Sequence, residues 1–452
     1  MTANTGGQIV DDTYAHMRLG LLIGCHIVTC CVSLAYLSYH YFNFYFFYDP
    51  KLLAGALVVV AAFATLTYGF LRAPFTFGYL LGFYFYTMVL GYLWLNCFSE
   101  FKYNHRLSGL SAAASIIAFL IPALFVSSPI RQRFTLTETA LDRVLTLILM
   151  SAAATILIGA TYSFKLVSLE YMYDFRDKID MPNPLNYWIG IISNALLPFA
   201  FACFAIRGNY WRAGLVLVLL LLFYPITLNK VAFFTPAWLV AMALLTRLFD
   251  CKTTVVLSLF LPLVVGVVLY AVFANATTYF QLINLRMIAT PSNAMDIYND
   301  FFFNHANTYF CQIRLLRAVV ACPYQAQLGI VMQDAYHLGN FNASLFSTEG
   351  IASVGPLLAP IPVLVCGLVI GLGNRLSAGL PPRFVLISGS ILPHILLNVP
   401  LTTSLLSHGT ALLFLLWYLT PRSLFPQETP VFSSASDVWA WLRQRNRPKV
   451  NA

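Results

Sequence analysis

Charge is scarce in this sequence. Of its 452 residues only 10% are Asp, Glu, Lys or Arg, while 59% are apolar and the mean hydropathy is +0.75. Soluble domains carry roughly 25% charged residues, so an ordinary cytosolic enzyme is excluded. Also missing are a CxxC pair, a Gly-rich phosphate loop and any internal repeat. The first argues against zinc and iron–sulfur centres, because most of the nine cysteines lie in or beside apolar runs as small hydrophobes. The last argues against a transporter built from repeats, since only one broken span, near 226–231, is visible where two would be needed. The first apolar run is preceded by no Lys-rich segment and followed by no small-residue cleavage site, so it reads as a retained span.

Long apolar runs are what the sequence has in abundance. A helix needs roughly 20 apolar residues to cross about 30 Å of hydrocarbon. Segments near 18–38, 51–71, 75–97, 110–128, 141–163, 186–206, 211–226, 231–247, 253–273, 352–373, 382–400 and 403–420 meet or approach that length. The expected fold is an all-α polytopic membrane protein of about 12 transmembrane helices, with kinks at Pro198, Pro225, Pro236, Pro262 and Pro393. The seventh and eighth segments are short and meet at Asn229-Lys230, so a broken or re-entrant pair is an alternative there. Aromatics, 15% of the chain, gather at run ends such as Tyr41–Phe47, as bilayer interfaces favour.

With residues 1–17 and the basic tail 421–452 in the cytoplasm, 16 of the 26 basic residues fall inside, as the positive-inside tendency requires. The net charge of +9 therefore reflects topology, and no nucleic-acid partner is expected. The outer minority includes Lys102, Arg176, Lys230, Arg286, Arg314 and Arg317. Two outer segments are long: one near 165–185, rich in ionic residues, and one over 274–351. Within the second, Asp300–Cys322 reads as an amphipathic helix lying at the interface. On one continuous helix Cys311 and Cys322 would stand roughly 16 Å apart and could not pair. In an oxidising compartment a disulfide is the alternative.

In order along the chain, the outer residues resemble a known group. The features are Tyr173-Asp174-Phe175-Arg176, Leu196-Leu197-Pro198, Asn229-Lys230, Phe233-Phe234-Thr235-Pro236 and Arg286. They continue through Tyr298-Asn299-Asp300-Phe301-Phe302, Asn342-Ala343-Ser344, Glu349-Gly350 and Gly355. Residues 160–420 are thus similar to the bacterial oligosaccharide repeat-unit polymerases, the Wzy-type O-antigen and exopolysaccharide polymerases. The family's Arg–ten residues–Gly spacing has its nearest counterpart in Arg317 and Gly329, with eleven between, which puts the role of Arg317 in doubt.

The resemblance implies the architecture of lipid-dependent (GT-C-like) glycosyltransferases in a bacterial inner membrane. It implies inverting, metal-independent transfer on the periplasmic face, with no cofactor. Undecaprenyl-diphosphate-linked oligosaccharides would be donor and acceptor, among membrane lipid, and a chain-length regulator protein could join them. The alternatives are an O-antigen ligase and a lipid-linked saccharide transporter or flippase.

That chemistry needs cations for the departing diphosphate and a base for the acceptor hydroxyl. Arg176, Lys230, Arg286, Arg314 and Arg317 are the candidate diphosphate contacts, arginine for its planar fork of donors. Lys230, at the edge of hydrocarbon with no acidic sequence neighbour, is the sharpest; snorkelling to headgroups is its competing role. For Arg176 the competitor is a salt bridge to Asp174 or Asp177. The candidate bases are Glu349, Asp300, Asp174 and His305. Glu349 precedes a span, where partial desolvation would raise its pKa, or where it would simply favour a helix N-terminus. Asp300 could equally cap a helix.

Overall fold

The computed structural model describes residues 5–41, 44–168, 171–176, 179–273, 277–313, 316–339, 341 and 347–425. It is all-helical, with no strand among the described residues and one isolated bridge, Phe46 to Ser99. Among the described residues ten helices are long and apolar enough to cross a membrane, and an eleventh span forms if the pair Leu401–Ser407 and Thr410–Leu419, bent by 60°, counts as one. The chain is a multi-pass membrane protein.

The shortfall from twelve lies near the C-terminal end. The expected span 382–400 is two short helices, Pro382–Gly389 and Leu392–Leu396. Gly389 ends one and Pro393 sits in the first turn of the other, where a missing N–H costs nothing. The expected start of span 352–373 is likewise broken, because Gly355 (φ 77°) and Pro356 interrupt the stretch Ser347–Leu358 before the helix Pro360–Ser377. The pair around Asn229 resolves into two full helical spans, Tyr210–Thr227 and Lys230–Leu248. Pro236 and Pro262 lie inside unbroken helices. Pro198 instead follows a π-helical stretch, Ile192–Leu196, and Pro291 follows another, Leu285–Ala289. In each case proline withholds a backbone donor, and the ladder widens just before it.

Two compact units divide the chain. The first comprises Met1–Gln132, Val255–Ala378 and Ile391–Tyr418. Its axis is the helix Phe77–Asn96, buried from Phe77 through Leu95. A Cβ at Gly78 would stand 2.1 Å from the Ala123 carbonyl oxygen, so only glycine permits that approach. Asn374 fastens the same corner. Its Oδ1 accepts from the Gly78 N–H at 2.7 Å, and its Nδ2 donates to the carbonyls of Ala123 (2.8 Å) and Val126 (3.2 Å). These are orphan groups of two helix ends, satisfied from a third helix.

The second unit comprises Arg133–Thr254, Gly379–Ser390 and Leu419–Ala452. In it Arg207 pairs with Asp142 at 2.5 Å, and the Trp238 indole donates to the Ser390 carbonyl. Phe384 packs edge-on against Phe199.

Candidate functional site

The sequence Thr290–Asn304 places Ser292, Asn293, Asp296, Asn299 and Asp300 three or four apart, a polar stripe on one helical face. The helix is buried along most of its length rather than lying at an interface. Ser292 donates to the carbonyls of Ile288 (2.6 Å) and Met88 (3.2 Å). The Asn299 Nδ2 donates to Met295 O (2.8 Å) and to the Tyr92 hydroxyl (3.2 Å). Asp296 is fully buried, accepting from Ser99 at 2.7 Å and from the Tyr103 hydroxyl in a short hydrogen bond. Tyr103 also lies 2.9 Å from Asn96 Oδ1 and 3.2 Å from the Tyr92 hydroxyl. Burial pushes the Asp296 carboxyl up to about 7, against the pull of Tyr103 and Ser99, and Asp300 adds repulsion.

One turn on, the partly buried Asp300 accepts from the Lys102 backbone N–H (3.1 Å) and the Tyr336 hydroxyl (2.7 Å). It does not cap a helix N-terminus, since it lies inside Thr290–Asn304. Burial, with Asp300 beside it, raises the Tyr336 phenol far above its ordinary value. The exposed His305 follows that helix. Its Nδ1 lies 2.8 Å from the Phe301 carbonyl and its ring stacks on Phe301 at 4.0 Å, so it closes the helix end.

Glu349 begins the broken stretch Ser347–Leu358. Burial of its carboxyl pushes it up to about 7, opposed by the Leu401 backbone N–H. Pro356 has no N–H to offer Ala352, and Gly355 turns the chain away. The carbonyls of Ala352 and Ser353 are taken instead by the N–H groups of Thr308 (2.8 Å) and Tyr309 (3.1 Å). This strap ties the segment after His305 to the Glu349 stretch.

The amphipathic helix expected over Asp300–Cys322 is not formed. The helix ends at Asn304, and the chain beyond it is irregular, with a 3-10 turn at Leu316–Ala318. The premise that kept Cys311 and Cys322 apart therefore fails. They form a disulfide, Cα to Cα 5.3 Å. Arg317, on the 3-10 turn within the disulfide loop, and Arg286, on the π-helical stretch, are both exposed. Arg314 and the side chain of Asp174 lie outside the described residues.

Arg176 and Lys230 belong to the second unit. Met172, Tyr224 and Leu228 form a small buried core with Val167 and Ile179 packed against it. The Tyr224 hydroxyl donates to Val167 O at 2.5 Å, and the Lys165 N–H to Pro225 O at 2.9 Å. The short helix bearing Arg176, Met172–Arg176, and the corner bearing Lys230 thus share one anchor. Leu228 takes a left-handed φ of 46°, and the Asn229 side chain caps the Val231 N–H at 2.9 Å. Lys230 therefore occupies the first position of a helix, where a cation opposes the dipole by about 0.3–1 kcal/mol.

Of the proposed bases and cations in the first unit, Asp300 and His305 share one helix end, and the strap connects that end to the Glu349 stretch. Sequence reasoning missed Asp296, Tyr103 and Tyr92. The three-to-four spacing of polar residues over 292–300 is the signal that would have marked a helix there. Comparison with protein-family models, curated proteins and solved structures finds no match.

Proposed function

We propose that this protein polymerises undecaprenyl-diphosphate-linked oligosaccharide repeat units on the outer face of a bacterial inner membrane. The observation that carries the reading is Glu349, a carboxyl outside the long spanning helices, held near neutrality by burial and set at a break in a helix. A base works best when its pKa lies near the working pH. In the inverting step the acceptor hydroxyl gives its proton to Glu349 as its oxygen bonds the anomeric carbon. The bond from that carbon to the phosphate oxygen breaks, and its electron pair leaves with the lipid diphosphate.

Within the first unit Arg286 and Arg317 are the exposed cations offered to that diphosphate. Within the second unit, taken by itself, Lys230 and Arg176 stand on segments that share one anchor. Lys230 holds a helix position that its charge disfavours, which argues for a role beyond folding. The Cys311–Cys322 disulfide supports an oxidising compartment for the arginine-bearing loop. The order of the outer motifs supports polymerase over ligase.

Gene replacement by Glu349→Gln, with surface polysaccharide resolved on a gel, tests the reading. A polymerase defect leaves single repeat units on the surface lipid. Polymer accumulating on undecaprenyl would instead identify a ligase, and loss of export a flippase; normal ladders would remove Glu349 as the base.

A further inference from the structure

Asp296 has no exposed surface, yet the groups around it carry more oxygen atoms than protons to join them. The Tyr103 hydroxyl has one proton and three oxygen neighbours: Asp296 Oδ1, Asn96 Oδ1 and the Tyr92 hydroxyl. His105 Nδ1 lies 2.8 Å from Asn96 Oδ1 and its Nε2 2.8 Å from the Phe101 carbonyl, and the Asn96 amide is oriented by its Nδ2, which donates to the His105 carbonyl. Asn299, 4% exposed, spends its nitrogen on Tyr92 and Met295, and its Oδ1 has no partner.

The Oδ2 side of Asp296 offers access. Ser99 is only partly buried and donates to Asp296 Oδ2 at 2.7 Å. It is held there by its bridge to Phe46, with Phe47 N–H on Phe98 O (3.0 Å) and Glu100 N–H on Tyr45 O (2.9 Å). The titratable groups facing Asp296 are Asp300 from its own helix, Tyr103 from the segment after Ser99, Tyr92 from the helix Phe77–Asn96, and Tyr336, with His105 beyond them against Asn96.

We propose that Asp296 is a proton-binding site, loaded and unloaded through Ser99, in which the Tyr103 hydroxyl changes acceptor. With Asp296 ionised, Tyr103 donates to it and not to Asn96 Oδ1. When Asp296 takes a proton, its new O–H donates to the Tyr103 oxygen, and the Tyr103 proton turns to Asn96 Oδ1. The same heavy atoms serve both states, so one proton is gained or lost without repacking. The displacement of the carboxyl to about 7 puts this exchange in the physiological range. The proposal is independent of the glycosyl-transfer reading.

The test is infrared titration of the full-length protein in lipid nanodiscs from about pH 5 to about pH 9. It is run in a Glu349→Gln background, because Glu349 titrates in the same range. A protonated-carboxyl band that disappears with a midpoint near 7 is expected, and it should be absent after Asp296→Asn. Tyr103→Phe, which keeps the ring, should move that midpoint up by about one unit, since a bond favouring the charged form is removed. Absence of the band in the Glu349→Gln protein overturns the proposal. So does its survival in Asp296→Asn, or an unmoved midpoint in Tyr103→Phe. If Asp296→Asn does not fold, the other two measurements still decide.

Discussion

The helix Phe77–Asn96 is wholly buried, whereas only 22% of the apolar window of Leu53–Arg72 is, yet the buried helix is the less apolar of the two. In a soluble protein the order would be reversed. Here lipid surrounds the fold and is as apolar as leucine, so the outer helix is written in Leu, Val and Ala and needs few specific contacts. The inner helix adds Gly and Tyr to its Leu and Phe, because what holds helices together in lipid is close approach and hydrogen bonding. Between them lie aromatic contacts, Phe63 stacked on Tyr86 at 4.9 Å and Phe70 edge-on to Phe83.

Breaking the inner rule should cost most. Gly78→Leu drives a side chain into the Ala123 backbone, and a loss of about 3 kcal/mol or more is expected, read as a collapse of the monodisperse fraction on size exclusion. Gly55→Ala in the outer helix, with nothing within 4 Å of the added carbon, should leave that profile unchanged. Equal damage from both would end the contrast.

A step smaller is Asn374→Leu. It strands the Gly78 N–H and the Val126 carbonyl and leaves the Ala123 carbonyl only the long bond from Thr76, and about 1–3 kcal/mol of lost stability is expected. Thermal unfolding in detergent would show it, and a neutral result would mean that water replaces the amide.

Next comes a pH effect. The Glu349 carboxyl is raised from 4.5 to about 7 in the fold. The folded protein thus binds a proton that the unfolded chain has released. The stabilisation is complete below about 4.5 and is lost as pH rises through about 7. Glu349→Gln should lower the slope of melting temperature against pH over that window, leaving the part that Asp296 contributes in the same range. An unchanged slope would show that the carboxyl is hydrated.

The smallest stability effect is expected at the exposed edge. Lys230→Ala removes a cation from a helix N-terminus and should stabilise by a few tenths of a kcal/mol, while shortening the polysaccharide ladder. Full ladders would reduce Lys230 to a snorkelling lysine.

The spans were legible because twenty apolar residues in a row have few other fates. The pair around Asn229 and the proline at 198 were legible as interruptions, although not the π-helical form the latter takes. The last spans were miscounted because hydropathy averages over Gly389, Pro393 and Gly409, where the backbone turns. Within 274–351 the buried helix Thr290–Asn304 was not legible, because its polar residues lower every hydropathy window that contains them. Asp300 was singled out for its sequence neighbours, while Asp296, between a methionine and an isoleucine, carried no local mark.

What the sequence alone determined is the solvent: apolar runs of that length place the chain in a membrane, whatever packs against what. Which polar residues are sealed inside was decided only by tertiary contact. Asp296 is surrounded by Ser99, Tyr103 and the face of Phe77–Asn96, nearly two hundred residues away in sequence. A carboxyl's pKa depends on the water it loses, and that loss is a property of neighbours in space.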